Sequence, residues 1–416
     1  MNRQSSSMMP LERHQRNKTK HLHDKYVLRY PAQGWRWIVG CLLLTLFSVC
    51  WPAPAHADGG APNLAYVAGA ASGISVIDVA QRRIVRTMTA SDPRMALLSP
   101  DGSLLYTSEP ASGQVRALQA SNGTLHCSAR VPGQPSWLAL SPQDDALYVA
   151  GSADAQVSVL DPQSCKLMHR FATPGPVAAL AISLLGGAFP THIGLYQLWV
   201  ATSDRVVVYD TDGTMLEQFP VNKPQGFCIP SSSFAIYVST QQGTVVAIDL
   251  VLHKVTAPLL QSDAIGTMDY NATTGEIYVP DIKHQQVLVL SPITPGQATS
   301  FGTIVQRLAL DGPPISVAIT SDGQLGFVAL QGGHVAMFDV PGRKLITTIA
   351  VGGQPHFIIT GLYPPVPVQS AVQHPPAGVS IPWHILLFAL FVILFCASGI
   401  ALLWLLVFQR KLREPS

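Results

Sequence analysis

The chain has 416 residues, 12% of them charged and 48% hydrophobic, with 33 Gly and 33 Pro. This suits an all-β body rich in tight turns together with one or more membrane segments. The net charge of +2 hides an asymmetry: residues 1–36 carry eight Lys/Arg against two acids, whereas 58–382 carry 15 against 21. That body has no basic run and no Lys/Arg cluster interleaved with aromatics, which argues against a nucleic-acid partner.

In chain order, the basic leader runs into Ile38 to Cys50, an apolar stretch of 13 residues. It is too short to cross a bilayer and fits the core of a signal peptide. Ala55 and Ala57 flank His56, so cleavage is expected after Ala57, making 1–57 the signal with its long basic region. An uncleaved anchor stays open as the alternative. Val49 stands where a lipidated Cys50 would need a small residue, which argues against a lipoprotein.

From 63 onward a unit recurs seven times, the signature of a repeat architecture. Its first half is an apolar-aromatic-Val strand: Ala65-Tyr66-Val67, Leu105-Tyr106-Thr107, Leu147-Tyr148-Val149, Leu198-Trp199-Val200, Ile236-Tyr237-Val238, Ile277-Tyr278-Val279 and Gly326-Phe327-Val328. The aromatics are spaced by 40, 42, 51, 38, 41 and 49 residues, the length of four short strands with their turns. The two long steps are expected to hold insertions, at Leu184 to Gln197 and around Pro292 to Ile304.

The second half is an alternating strand that usually ends in Asp, as in Ile74 to Asp78, Val157 to Asp161 and Val335 to Asp339. Two copies depart, ending in Gln119 and Ser291. A Pro-led apolar strand with a turn links the units, as at Pro93 with Ser99-Pro100-Asp101-Gly102, at Pro135 with Ser141-Pro142 and at Pro314 with Ser321-Asp322-Gly323. The first unit starts in its second strand, and Gln354 to Ile359 after the last unit reads as an unpaired first strand. The two ends are therefore expected to complete one blade, with Ala65 near Ile358.

These features predict a seven-bladed β-propeller over 58–362. A spacer follows at 363–382, with six prolines and no charge. Residues 383–408 contain a 24-residue uncharged run, Ile385 to Phe408, which as a helix spans about 36 Å, enough for a membrane crossing. Arg410, Lys411 and Arg413 in the tail 409–416 place the C-terminus in the cytoplasm by the positive-inside rule. The body is thus expected outside the membrane, or in the periplasm, and in contact with the lipid bilayer through this helix. A cell-wall sorting signal shares this layout, but the Leu-Pro-x-Thr-Gly sequence is missing.

Three of the six cysteines, Cys127, Cys165 and Cys228, fall in the body, with neither metal nor haem spacing. Cys127 and Cys165 lie near the outer strands of successive blades, so a disulfide between them is one reading.

Ser99-Pro100-Asp101-Gly102-Ser103-Leu104-Leu105-Tyr106 and Gly73-Ile74-Ser75-Val76-Ile77-Asp78-Val79 resemble the YVTN-type β-propeller repeat of bacterial surface and periplasmic proteins, over about 63–362. The resemblance implies the fold and leaves the function open, since propellers serve as binding modules, scaffolds and enzymes. Related propellers include lactonases and a nitrite reductase haem domain, but no motif here carries over either activity.

Loops after each aromatic strand and loops entering each Pro-led strand should open onto one face. They supply Arg94, Glu109, Gln134, Asp154, Asp204, Gln225, Gln241, Asp281, His284, Gln331 and His356 as candidate ligand-face residues, a Gln-rich set suited to a protein or cell-envelope glycan. No catalytic residue, metal ligand or cofactor is predicted, because no Ser-His-Asp arrangement, phosphate loop or zinc motif is visible. The leading expectation is an anchored binding or scaffold module. The alternative is a lactonase-like hydrolase with a metal in the channel, which would need several converging ligands.

Overall fold

The computed structural model describes residues 63–184, 196–230, 234–297 and 302–361, and every regular element among them is a strand. The signal, the spacer, the apolar run and the tail lie outside the described residues. Seven antiparallel sheets form the blades, at 95–130, 135–172, 179–220, 224–261, 269–309 and 314–350 for blades 2 to 7. Blade 1 takes three strands from 64–89 and its innermost strand, Phe357–Gly361, from the far end of the sequence. Leu64–Ala70 pairs with it in the register Ala65 to Thr360 and Val67 to Ile358, which is the closure expected above. Closure of this kind leaves no open sheet edge between the first and last repeats.

The repeat residues form blades because each one buries an aromatic against its neighbour. Tyr66, Tyr106, Tyr148, Trp199, Tyr237, Tyr278 and Phe327 are all at most 1% exposed. The apolar core separates into seven clusters, each joining one pair of adjacent blades: Tyr66 packs with Leu105 and Leu118, Trp199 with Ile236 and Val238, and Phe327 with Ala65, Val67 and Ile358. Burying a large apolar side chain contributes about 1.5–3 kcal/mol, so the ring is held by interfaces between blades as much as by hydrogen bonds within them. The second and third strands of a blade are covered on both faces and are almost wholly buried, as Leu64–Ala70 and Gly73–Asp78 show. Outer strands such as Arg83–Thr89 alternate between exposed residues and half-buried or buried ones.

The terminal Asp residues cap the turn into the outer strand. Gln81 N donates to Asp78 at 2.7 Å and Ser164 N to Asp161 at 2.7 Å. The outer strands carry a feature invisible in the sequence: in six blades the register slips by one residue near the strand's start, at Val85, His126, Met168, Leu216, Val305 and Ile346. Such bulges bend and twist an edge strand and make it a poor template for pairing with another chain. Blade 5 lacks this bulge, because two short strands, Lys254–Val255 and Leu260–Gln261, share the outer position.

The strand ends that flank both insertions are on the side opposite the hairpins that join second and third strands. The first lies between Ser183 and Gln197 in blade 4, and its residues 185–195 are not described. The second, in blade 6, leans back on blade 5, where Ile293 N donates to the Tyr237 hydroxyl at 2.9 Å and Gly296 N to Asp249 at 2.8 Å. Cys127, on the outer strand of blade 2, is disulfide-bonded to Cys165, in the last turn of blade 3, with the Cα atoms 5.7 Å apart.

Candidate functional site

A channel runs down the axis between the innermost strands. It consists of an upper funnel of about 650 Å³ and a lower chamber of about 440 Å³ that meet at Trp137, Gly226 and Thr267. The lower chamber is apolar, lined by residues such as Met95, Leu138, Leu180, Phe227 and Met268. The funnel is polar, and its floor is a ring with one residue from each blade: His356, Arg94, Ser136, Ala178, Gln225, Gly266 and Ile315 in blades 1 to 7.

Local backbone geometry explains this ring. Five of the seven residues follow a proline, at Pro355, Pro93, Pro135, Pro224 and Pro314. In blades 3, 5 and 7 the register with the second strand jumps across the ring residue, from Pro135 to Trp137, from Pro224 to Gly226 and from Pro314 to Ser316. The extra residue of a bulge is re-aimed, here toward the axis. The proline suits the spot because it has no N–H to place in the ladder. The non-proline members hold the same place: Ala178 N donates to Ala201 O at 2.8 Å and Gly266 N to Pro280 O at 2.9 Å. Above the ring, Ser152, Gln241, Ile282 and Gln331, just past the ends of second strands, complete the funnel wall together with Ser239 and Gln354.

Of the eleven predicted ligand-face residues, Arg94, Gln225, Gln241, Gln331 and His356 converge on the funnel, and the other six do not line it. Glu109 is 2% exposed and takes Arg116 Nη1 at 3.2 Å. Asp281, also 2% exposed, takes Ser262 Oγ at 2.8 Å, Gln286 Nε2 at 2.9 Å and His284 Nδ1 at 2.9 Å. Asp204 is paired with Arg205 at 2.6 Å, and Asp154 accepts from Gln156 Nε2. Gln134 is exposed, has a positive φ of 57°, and offers its carbonyl to Ser136 Oγ at 2.9 Å. These carboxylates close their own hairpins. The sequence reading missed Ser136, Trp137, Ser152, Ser239, Thr267 and Gln354, and the signal for the first was its place directly after Pro135.

Asp281, Ser262 and His284 bring together the residue types of a hydrolase triad in the wrong order. Ser262 and His284 both donate to the carboxylate, so no base sits on the serine hydroxyl. Burial would raise the Asp281 carboxyl, but hydrogen bonds from Gln286, Ser262 and His284 together hold it below its ordinary value. Among the described residues no three His, Cys, Asp or Glu side chains come together as a metal site. Burial lifts the phenols of Tyr66, Tyr237 and Tyr278 to about 12, which keeps these blade aromatics neutral and structural.

Arg94 Nη1 lies 3.5 Å from His356 Nδ1, and His356 Nε2 is 3.3 Å from Asp92, whose side chain is 70% exposed. Enclosure by the funnel wall draws the Arg94 guanidinium below its ordinary value, opposed by the Asp92 charge. A guanidinium stays protonated nonetheless.

Below the funnel, Asp269 joins blades 6 and 7 by accepting Ile319 N at 2.7 Å. The residue as a whole is half-buried, yet its carboxyl is enclosed, and burial pushes it up to about 6. Burial also pushes the nearby Cys228 thiol well above its ordinary value, with the Asp269 charge adding to the effect, so this cysteine is a packing residue. An acid with a higher pKa in the fold than in the unfolded chain binds its proton more tightly when folded. Its contribution is fully present below the unfolded value and is lost as pH rises through about 6. Between pH 4 and 7 the fold should lose on the order of 2–3 kcal/mol from this group. Asp269→Asn keeps an acceptor for Ile319 N and should flatten that dependence and raise stability at pH 7.5. Urea midpoints measured across the range check it, and an unchanged slope would assign the dependence to another group.

No family model matches the chain, and no curated protein matches it in sequence. The YVTN-type resemblance therefore rests on the repeat residues alone. Solved structures do match in three dimensions. A functionally unknown protein from Desulfotomaculum acetoxidans DSM 771 superposes with a TM-score of 0.59 at 13% identity, covering 72% of this chain and 99% of that one. Hydrazine synthase of Kuenenia stuttgartiensis gives 0.56 at 18%, covering 67% and 92%. The dihydro-heme d1 dehydrogenase NirN, solved in complex with DHE, gives 0.51 at 15%, covering 74% and 77%. At such identities these likenesses show the propeller fold alone.

Proposed function

We propose that the chain is a non-enzymatic recognition or scaffold module, held at the outer side of a membrane, whose funnel face binds a protein or cell-envelope glycan. The observation that carries this is the floor ring. Seven equivalent positions on a closed scaffold carry seven different residues, as a binding surface requires and a repeat built only for packing does not. The hydrolase alternative has no donor set among the described residues on which to build a channel metal.

The test is capture of solubilised envelope fragments by the full-length chain, comparing wild type with Gln225→Ala/Gln241→Ala/Gln331→Ala. Loss of about tenfold or more in bound material is expected, since each amide removed leaves ligand groups unpaired. Capture unchanged by the triple substitution would move binding away from this face.

The anchored topology is tested separately. Externally added protease on intact or outer-membrane-permeabilised cells should remove a propeller epitope and spare a C-terminal tag. Loss of the tag with the propeller intact would reverse the orientation.

A further inference from the structure

The funnel has a charge inventory that narrows its ligand. Among the described residues, Arg94 is the only permanently charged side chain on the lining, and no carboxylate lines it. Arg94 makes no ion pair among the described residues, because the nearby Asp92 turns outward onto His356. A solvent-exposed guanidinium with no direct ion pair among the described residues is a seat for a ligand carboxylate. The remaining polar lining is made of amides and hydroxyls together with the His356 imidazole. A polyanion would meet one positive charge and gain little, whereas one carboxylate among many hydroxyls would satisfy the whole wall.

A second, independent observation is the Ser239 hydroxyl. Ser239 is 1% exposed, lines the funnel, and its Oγ has no partner. It lies opposite Gly226 in the strand pairing, and a Cβ on Gly226 would stand 2.9 Å from that oxygen. The glycine keeps open a slot that ends on a buried, unpaired hydroxyl, an arrangement that costs stability unless a ligand group fills it. Trp137, half-buried at the junction of funnel and lower chamber, adds a flat apolar surface next to polar groups. A sugar ring presents the matching faces, with C–H groups on one side and hydroxyls around the edge.

From these features we infer that the funnel binds a carboxylate-bearing saccharide of one or two rings, with its carboxylate on Arg94, a ring on Trp137 and a hydroxyl on Ser239. The volume of about 650 Å³ falls among small-molecule sites. The inference rests on the binding role proposed above and names the ligand class for the same face.

The test is calorimetric titration of the full-length chain with two disaccharides of the same linkage, one ending in glucuronic acid and one in glucose. The acidic sugar should bind about tenfold tighter or better, the usual gain from a charge-assisted pair. Arg94→Gln should erase that difference and leave the neutral sugar's affinity in place. Ser239→Ala, which removes the unpaired hydroxyl and adds no bulk, should weaken both sugars by the same factor without lowering the melting temperature. Equal affinity of the wild type for both sugars, or no binding of either, overturns the inference. If neither sugar binds while envelope capture still depends on the three glutamines, the binding role stands and the ligand class assigned here falls.

Discussion

Ile358→Asp is expected to destabilise the propeller by about 4 kcal/mol or more, the range reached when a buried apolar side chain is replaced by an unpaired charge. Ile358 is 1% exposed and sits in the cluster with Ala65, Val67, Ala318 and Phe327, where blade 7 meets blade 1. It comes from the last strand of the ring, and its register partner is Val67, from the first. The substitution therefore weakens two things together, the core of one interface and the pairing that joins the ends. Leu345→Asp, at a 44% exposed position on the outer strand of blade 7, is the control and should stay within about 0.5 kcal/mol. Urea unfolding gives both values. Because an opened ring exposes the edge of Leu64–Ala70, size-exclusion chromatography should show oligomers for Ile358→Asp alone. Equal effects of the two substitutions would mean that the ends do not close the ring as described.

The parts of this fold that were readable from sequence are those set by local periodicity. An aromatic about every forty residues, flanked by strands of period two, locates the blades, because each aromatic fills the same gap between neighbouring sheets. The shared first blade was readable as well, since an orphan strand at one end and a missing strand at the other leave one economical solution. The exception at Gly326, where other units carry an apolar residue or Ala, is explained only across the strand pair. Gly326 faces Phe338, whose ring occupies the space that a side chain there would need. The outer-strand bulges leave no local signature because the residue at the slip varies from Val85 to His126.

The candidate site was legible at five of its positions, and the reason for the rest is physical. A loop residue's place in chain order says which face it is on, but not whether its side chain is already engaged. Glu109 has Arg116 directly ahead in its own hairpin, Asp281 has Gln286 and Asp204 has Arg205, so each carboxylate is consumed locally. A donor on the next strand of the same hairpin would have been the warning. Ser136 and Trp137 were missed for the opposite reason: the bulge after Pro135 shifts which residue faces the axis, and alternation alone assigns it wrongly.

The second large effect concerns the perimeter of the ring. The bond from Cys127 to Cys165 joins blades 2 and 3 there, beside a contact of His126 Nε2 with the Gln163 carbonyl at 2.8 Å. For a sequence separation of 38, loss of chain entropy in the unfolded state predicts a contribution of about 4 kcal/mol. Native strain and residual structure usually bring such values to about 2–4 kcal/mol. Cys127→Ser/Cys165→Ser should lower stability by that amount, and reductant should bring the wild type to the same midpoint while leaving the double variant unmoved. Peptide mapping after alkylation without reduction should label Cys228 once the protein is unfolded and leave Cys127 and Cys165 unlabelled. The same measurement bears on the proposed location. A pair that forms in chain exported from the cell and stays reduced in chain retained inside is what an outward-facing propeller requires, since disulfides persist in oxidising compartments. Full labelling of both cysteines in protein taken from its native membrane would count against the outward placement and would remove the perimeter link from the account of stability.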